Sequence, residues 1–136
     1  MLIIGVDIIE INRVELVASK YGTRFLNRIY THRELVYCRK RPSQLASRFA
    51  AKEAVMKALG TGTRGVGWKD IEICRLPGQA PSIVLHGRAK TRADTIGLTN
   101  LALSLSHSKE YAVATVIGES QKGNILNEQS TYEEKG

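Results

Sequence analysis

The chain has 136 residues, of which 43% are apolar and 24% charged, with a formal net charge of +7. That size and balance suit one globular domain and exclude a fibrous or wholly disordered protein. The only cysteines, Cys38 and Cys74, have neither a CxxC nor a zinc-like spacing, so neither a disulfide framework nor a zinc site is expected and a reducing cytosol is the expected compartment.

Residues 2–11, LIIGVDIIEI, are β-branched and almost continuously apolar, which predicts a central strand covered on both faces. The run is too short for a membrane span, has no basic lead-in and contains Asp7. It is read as neither anchor nor signal, and the chain as cytoplasmic and unprocessed, with no membrane partner. Alternation puts Ile3, Gly5, Asp7 and Ile9 on one face, where Asp7 is the lone acid among aliphatic side chains. It is either a capping aspartate satisfied by backbone N–H groups, or a metal ligand or general base, because an ionised carboxylate at mid-strand needs a cation or several donors. Gly5, on the same face, is expected to leave room for a ligand.

From Asn12, a possible cap, the pattern turns helical through Val14, Leu16 and Val17 until Tyr21 and Gly22 interrupt it. Phe25, Leu26 and Ile29 mark a second short helix. Thr31 caps a third, THRELVYCRKR, with Glu34 three residues on completing a capping box. Between Arg13 and Lys52 ten basic residues oppose only Glu15 and Glu34, a local positive surface that asks for an anionic partner. Arg13, Lys20, Arg24 and Arg28 form either a solvated basic face or a docking surface for an acidic helix. Interleaved exposed aromatics and a recognised motif are missing, so nucleic acid is not the expected partner.

The stretch Ser43 to Gly62, SQLASRFAAKEAVMKALGTG, reads as a helix opened by Pro42 and Ser43 and closed by Gly60. On a helical wheel Leu45, Phe49, Met56 and Leu59 share one side, Glu53 falls inside that arc, and Lys57 lies one turn on. Ala46 and Ala50 are expected to leave open space beside both charges. Glu53 and Lys57 are either an ordinary helix pair, worth about 0.2 to 0.5 kcal/mol, or part of a site, since an inward carboxylate is costly without a partner or metal. The loop that follows, TGTRGVGWKD, offers backbone amides to a phosphate but has neither the P-loop order nor the Rossmann context.

Ile71 to Arg75 and Ser82 to His86 predict a hairpin around PGQAP, Gly87 to Ile96 a helix, and Trp68 a place at the core rim. Leu101 to Ser106 alternates as a strand, with leucines on one face and Ala102, Ser104 and Ser106 on the other, and HSKE leads to its partner, Tyr111 to Ile117. His107 is either a surface residue or, with the serines, a pocket wall. Residues 1–118 are expected to form one domain. Residues 119–136 are polar and aperiodic, the pattern of a mobile tail.

With Asp7, Glu53 and His107 in hand, three stretches, GVDIIEINRV at 5–14, RFAAKEAVMKALGTG at 48–62 and SLSHSKEYAVATV at 104–116, closely resemble the holo-[acyl-carrier-protein] synthase family, the small bacterial type of 4′-phosphopantetheinyl transferase. The resemblance implies an α+β fold, mainly antiparallel sheet packed on a long central helix. It implies transfer of the 4′-phosphopantetheine arm of coenzyme A to a serine of apo acyl carrier protein, with release of adenosine 3′,5′-bisphosphate and with magnesium as cofactor. By the same resemblance Asp7 and Glu53 hold the metal and act with Lys57 as the catalytic set. Arg48, Lys57, Gly60, Thr61, Gly62, Ser106 and His107 match the coenzyme A site. Arg13, and less directly Lys20, Arg24 and Arg28, match the helix that receives the carrier protein. The family is typically a homotrimer with coenzyme A held between neighbouring subunits. The base that takes the serine proton stays open among Glu53, a water on the metal and His107.

Overall fold

One helix of 18 residues, Pro42–Leu59, is surrounded by nearly everything else. The computed structural model describes residues 1–121, and the expected tail beyond them lies outside the described residues. In chain order the elements are β1 (Leu2–Glu10), α1 (Ile11–Tyr21), α2 (Thr23–Ile29), α3 (His32–Cys38), α4 (Pro42–Leu59), α5 (Gly62–Gly65), a 3-10 turn (Trp68–Asp70), β2 (Ile71–Cys74), β3 (Ser82–Leu85), α6 (Gly87–Thr95), β4 (Leu98–His107) and β5 (Tyr111–Ser120). Among the described residues no helix is long and apolar enough to cross a membrane.

The ends of α4 follow from its sequence. Pro42 stands in the first turn, where its missing N–H has no helical partner to lose. Gly60 stops the helix at φ 71°, a left-handed conformation in which its N–H returns to Lys57 O. The capping box of α3 is present as expected, with Thr31 N donating to Glu34 Oε1 at 2.8 Å and Glu34 N donating to Thr31 Oγ1 at 3.3 Å. Asn12, by contrast, lies inside α1. The start of that helix is fixed instead by a tertiary bond from Ile11 N to Glu110 O at 2.8 Å.

A three-stranded antiparallel sheet in the order β1-β5-β4 covers α4, and β2 and β3 form a separate hairpin. β1 is therefore an edge strand, and β5 takes the centre that the sequence reading gave to β1. Its inward face is the expected one, with Ile3 and Gly5 buried, but Leu2, Ile4, Val6 and Ile8 on the other face are between 54% and 71% exposed. The apolar run is real, and one half of it has no cover within a single chain. Glu119 and Ser120, expected to open the tail, are instead the last residues of β5.

Two further expectations are corrected by packing. Gly5 and the alanines of α4 do not leave open space: Ala46, Ala50 and Ala54 are fully buried, and a Cβ on Gly5 would lie 1.9 Å from Ala54 O. Small residues here let strand and helix backbones touch. The basic surface is also smaller than the sequence count, because Arg48 and Lys52 are buried. Lys52 Nζ donates to Glu34 Oε1 at 2.7 Å and to the carbonyls of Trp68 and Ile71, while Glu34 Oε2 accepts from Ile73 N at 3.0 Å. Burial pushes the lysine's pKa down and the glutamate beside it pushes it back up. One satisfied ion pair thus ties α3, α4 and β2 together.

Candidate active site

Asp7 reaches the site from the inward face of β1, and Glu53 and Lys57 from one side of α4. Lys57 Nζ donates to Asp7 Oδ1 at 3.0 Å and to Val6 O at 3.0 Å, joining residues fifty positions apart in the chain. Glu53 stands beside Asp7. Burial first, and the Asp7 charge second, push the Glu53 carboxyl above its ordinary value, while Lys57 and Arg13 pull it down. Two carboxylates in mutual contact resist being ionised together unless a cation joins them.

A pocket of about 410 Å³ opens over this pair, with Arg13, Phe25 and Phe49 among its walls. Val17 and Phe25 also line a neighbouring groove of about 430 Å³ that carries Tyr21, Arg24 and Arg28. The acids therefore face a continuous surface of rings and guanidinium groups made by α1 and α2. Gly22, at φ 57°, makes the sharp turn that sets these two helices side by side. Lys20 lies on the same helix with its Nζ 5.3 Å from the centre of the Tyr21 ring.

Asp7 and Glu53 could offer a cation two hard carboxylate groups, a donor type suited to magnesium, which keeps waters and takes phosphate oxygens from its substrate.

The other expected site residues lie elsewhere in the single chain. Gly60, Thr61 and Gly62 follow the end of α4, about one turn beyond Lys57. Ser106 is exposed on the outward face of β4, in register with Val113 and then Ile8, and His107 is exposed at the strand's end with β5 between it and β1. Arg48 faces away from the acid pair. It is 2% exposed, with its guanidinium 4.4 Å from the centre of the Tyr37 ring and a bond to Gln44, and its Nε and Nη2 have no acceptor among the described residues.

Phe25 and Phe49, which the sequence marks only as apolar positions of their helices, are walls of the pocket. Phe49 stacks on Trp68 with ring centres 4.9 Å apart. Its position one turn before Glu53 was the available signal, since residues four apart share a helix face.

The fold and the acid pair at the strand-helix contact define a small α+β protein with two carboxylates in one pocket. Residues 3–116 match the family model described as the 4′-phosphopantetheinyl transferase superfamily. A relative from Gloeobacter violaceus named holo-[acyl-carrier-protein] synthase is 50% identical over 117 residues, covering 83% of this chain and 89% of its own. The crystal structure of the Helicobacter pylori holo-[acyl-carrier-protein] synthase in complex with coenzyme A is 35% identical, with a TM-score of 0.78, covering 85% of this chain and 99% of that one. The Neisseria meningitidis synthase is similar at 33% identity and a TM-score of 0.79, covering 87% and 98%. The chain belongs to the holo-[acyl-carrier-protein] synthase family and is an enzyme of the phosphopantetheinyl transferase class.

Proposed function

We propose that this enzyme transfers 4′-phosphopantetheine from coenzyme A to a serine hydroxyl of apo acyl carrier protein, in a magnesium-dependent reaction that releases adenosine 3′,5′-bisphosphate. The observation that carries the reading is the meeting of Asp7, Glu53 and Lys57 in one pocket of a protein of this family. The serine oxygen forms a bond to the phosphorus on the pantetheine side of the diphosphate, and the bond from that phosphorus to the bridging oxygen breaks. Charge grows on phosphoryl oxygens, and stabilising it is the main task. Asp7 and Glu53 would hold the cation, which when bound supplies charge neutralisation at the diphosphate. Lys57, more than half open to solvent, can reach a phosphate oxygen by turning its ammonium from Asp7. Among the candidates for the base, Glu53 lies in the pocket beside Asp7, whereas His107 of the same chain is two strands away.

The basic groove of Arg13, Arg24 and Arg28, with Lys20 at its edge, suits an acidic helix of the carrier protein and leads directly to the acids. The uncovered face of Leu2, Ile4, Val6 and Ile8 supports assembly with further copies of the chain, as a homotrimer whose coenzyme A sites lie between subunits. In such an assembly the exposed Ser106, His107 and Gly60–Gly62 turn would serve coenzyme A at the subunit boundary, whereas Arg48, buried against Tyr37, would act only by holding α4 in place. The test is incubation of the protein with magnesium, coenzyme A and an apo carrier protein, followed by intact-mass measurement of the carrier. A gain of one phosphopantetheine is expected, and an unchanged mass would overturn the assignment for that carrier.

A further inference from the structure

Lys57 holds Asp7 in a way that stability does not explain. Its Nζ donates to Asp7 Oδ1 and to Val6 O, both at 3.0 Å, although 56% of the side chain is exposed and only 12% of Asp7 is. With its ammonium open to water the pair is half-exposed, and it adds less to folding than a buried pair would. Among the described residues Lys57 is the only cation within ion-pair distance of Asp7, and no salt bridge reaches Glu53. Without a metal, the ammonium therefore sits on one of the few oxygens that the acid pair has to offer a cation.

Resting on the function proposed above, we propose that Lys57 is an internal counter-ion that hands Asp7 over to the metal and takes the coenzyme A diphosphate in exchange, so that metal and diphosphate bind cooperatively through this one lysine. A metal ion gaining Asp7 alone would leave the ammonium next to a like charge, with only Val6 O to hold it. A diphosphate arriving alone would have to draw Lys57 from Asp7 and leave two bare carboxylates behind. Together each relieves the cost of the other, and the four-carbon stem of Lys57 lets the head move while its Cα stays fixed in α4. Coupling of this kind is reciprocal: whatever factor the diphosphate adds to metal affinity, the metal adds to diphosphate affinity.

The experiment is a titration with Mn²⁺, followed by electron paramagnetic resonance, of the wild type, Lys57→Met and Arg13→Met, each with and without saturating coenzyme A and with no carrier protein present. Lys57 is exposed, so its replacement leaves the core untouched. For the wild type, coenzyme A should tighten Mn²⁺ binding about tenfold or more, within the usual range of coupled sites. In Lys57→Met, Mn²⁺ alone should bind several-fold more tightly than in the wild type, and coenzyme A should add less than about threefold. Arg13→Met removes an equal charge from the same pocket but leaves the Lys57–Asp7 bond in place, so it should shift Mn²⁺ affinity with and without coenzyme A alike and keep the wild-type coupling. Equal coupling in wild type and Lys57→Met, or an equal loss in Arg13→Met, would overturn the handover while leaving the proposed reaction standing. A wild-type protein that binds no Mn²⁺ even with coenzyme A present would overturn both.

Discussion

Gly5 and Ala54 meet backbone to backbone, and a Cβ on Gly5 would sit 1.9 Å from Ala54 O and 3.0 Å from Ala58 N. The two touching atoms belong to the elements that carry Asp7 and Glu53, two residues beyond Gly5 in β1 and one before Ala54 in α4. The contact therefore sets the spacing of the acid pair. Gly5→Ala should force strand and helix apart, lower stability by about 1 to 3 kcal/mol as overpacking does, and depress kcat more than the KM for coenzyme A. Thermal unfolding and steady-state kinetics check this, and a wild-type midpoint and kcat together would show that the spacing is set elsewhere.

The pH dependence of the metal-free protein should carry the mark of Glu53. Its folded pKa is raised above the ordinary 4.5 by burial and by Asp7. The folded state therefore binds a proton that the unfolded state has already lost, and stability falls as pH rises from about that value through the folded one. Glu53→Gln should flatten this part of the profile, and magnesium should offset the loss in the wild type but not in the variant. Denaturant titrations across this pH range measure it. Parallel slopes in the two proteins would remove Glu53 as the cause.

Lys52 and Glu34 should show the asymmetry of a buried pair. Lys52→Met leaves a carboxylate with no charge partner at a site 1% exposed, a loss of about 3 to 5 kcal/mol. Adding Glu34→Gln removes that stranded charge while keeping an acceptor for Thr31 N or Ile73 N, and should restore part of the loss. If the double variant unfolds at the same denaturant concentration as Lys52→Met, the penalty comes from the bonds to the Trp68 and Ile71 carbonyls instead.

On the carrier-protein side, Arg13→Glu should raise the KM for the apo carrier several-fold at low salt and leave kcat at saturating carrier little changed. The difference should shrink as ionic strength rises toward 0.15 M, where charges more than about 8 Å apart are screened. Initial rates at two salt concentrations decide it, and an unaltered KM at low salt would count against the groove.

The uncovered strand face gives a direct test of assembly. Ile4, 67% exposed, is in register with Ile117, 45% exposed, so the two form one apolar patch across β1 and β5. Ile4→Glu should leave a folded chain, since nothing among the described residues covers that position, and should shift the light-scattering mass from that of the proposed trimer to that of a monomer, with loss of turnover. A variant that remains trimeric would place the interface on another face.

The sequence by itself determined the bounds of several elements and the face of β1 on which Asp7 stands. Alternation in LIIGVDIIE put Asp7 on the buried face of β1, Pro42 and Gly60 bounded α4, and Thr31 with Glu34 capped α3, because each depends on residues within a few positions of one another. The tertiary structure alone decided which strand lies in the middle, and that Gly5 and Ala54 make a contact rather than a vacancy. It also turned Arg48 and Lys52 inward, one under Tyr37 and one onto Glu34, when the charge count had set both at the surface. These outcomes turn on pairings between distant segments. A periodic pattern states which face of an element is apolar but carries no record of what arrives to cover it, which is why the outer face of β1 reads as buried in sequence and stands bare in a single chain.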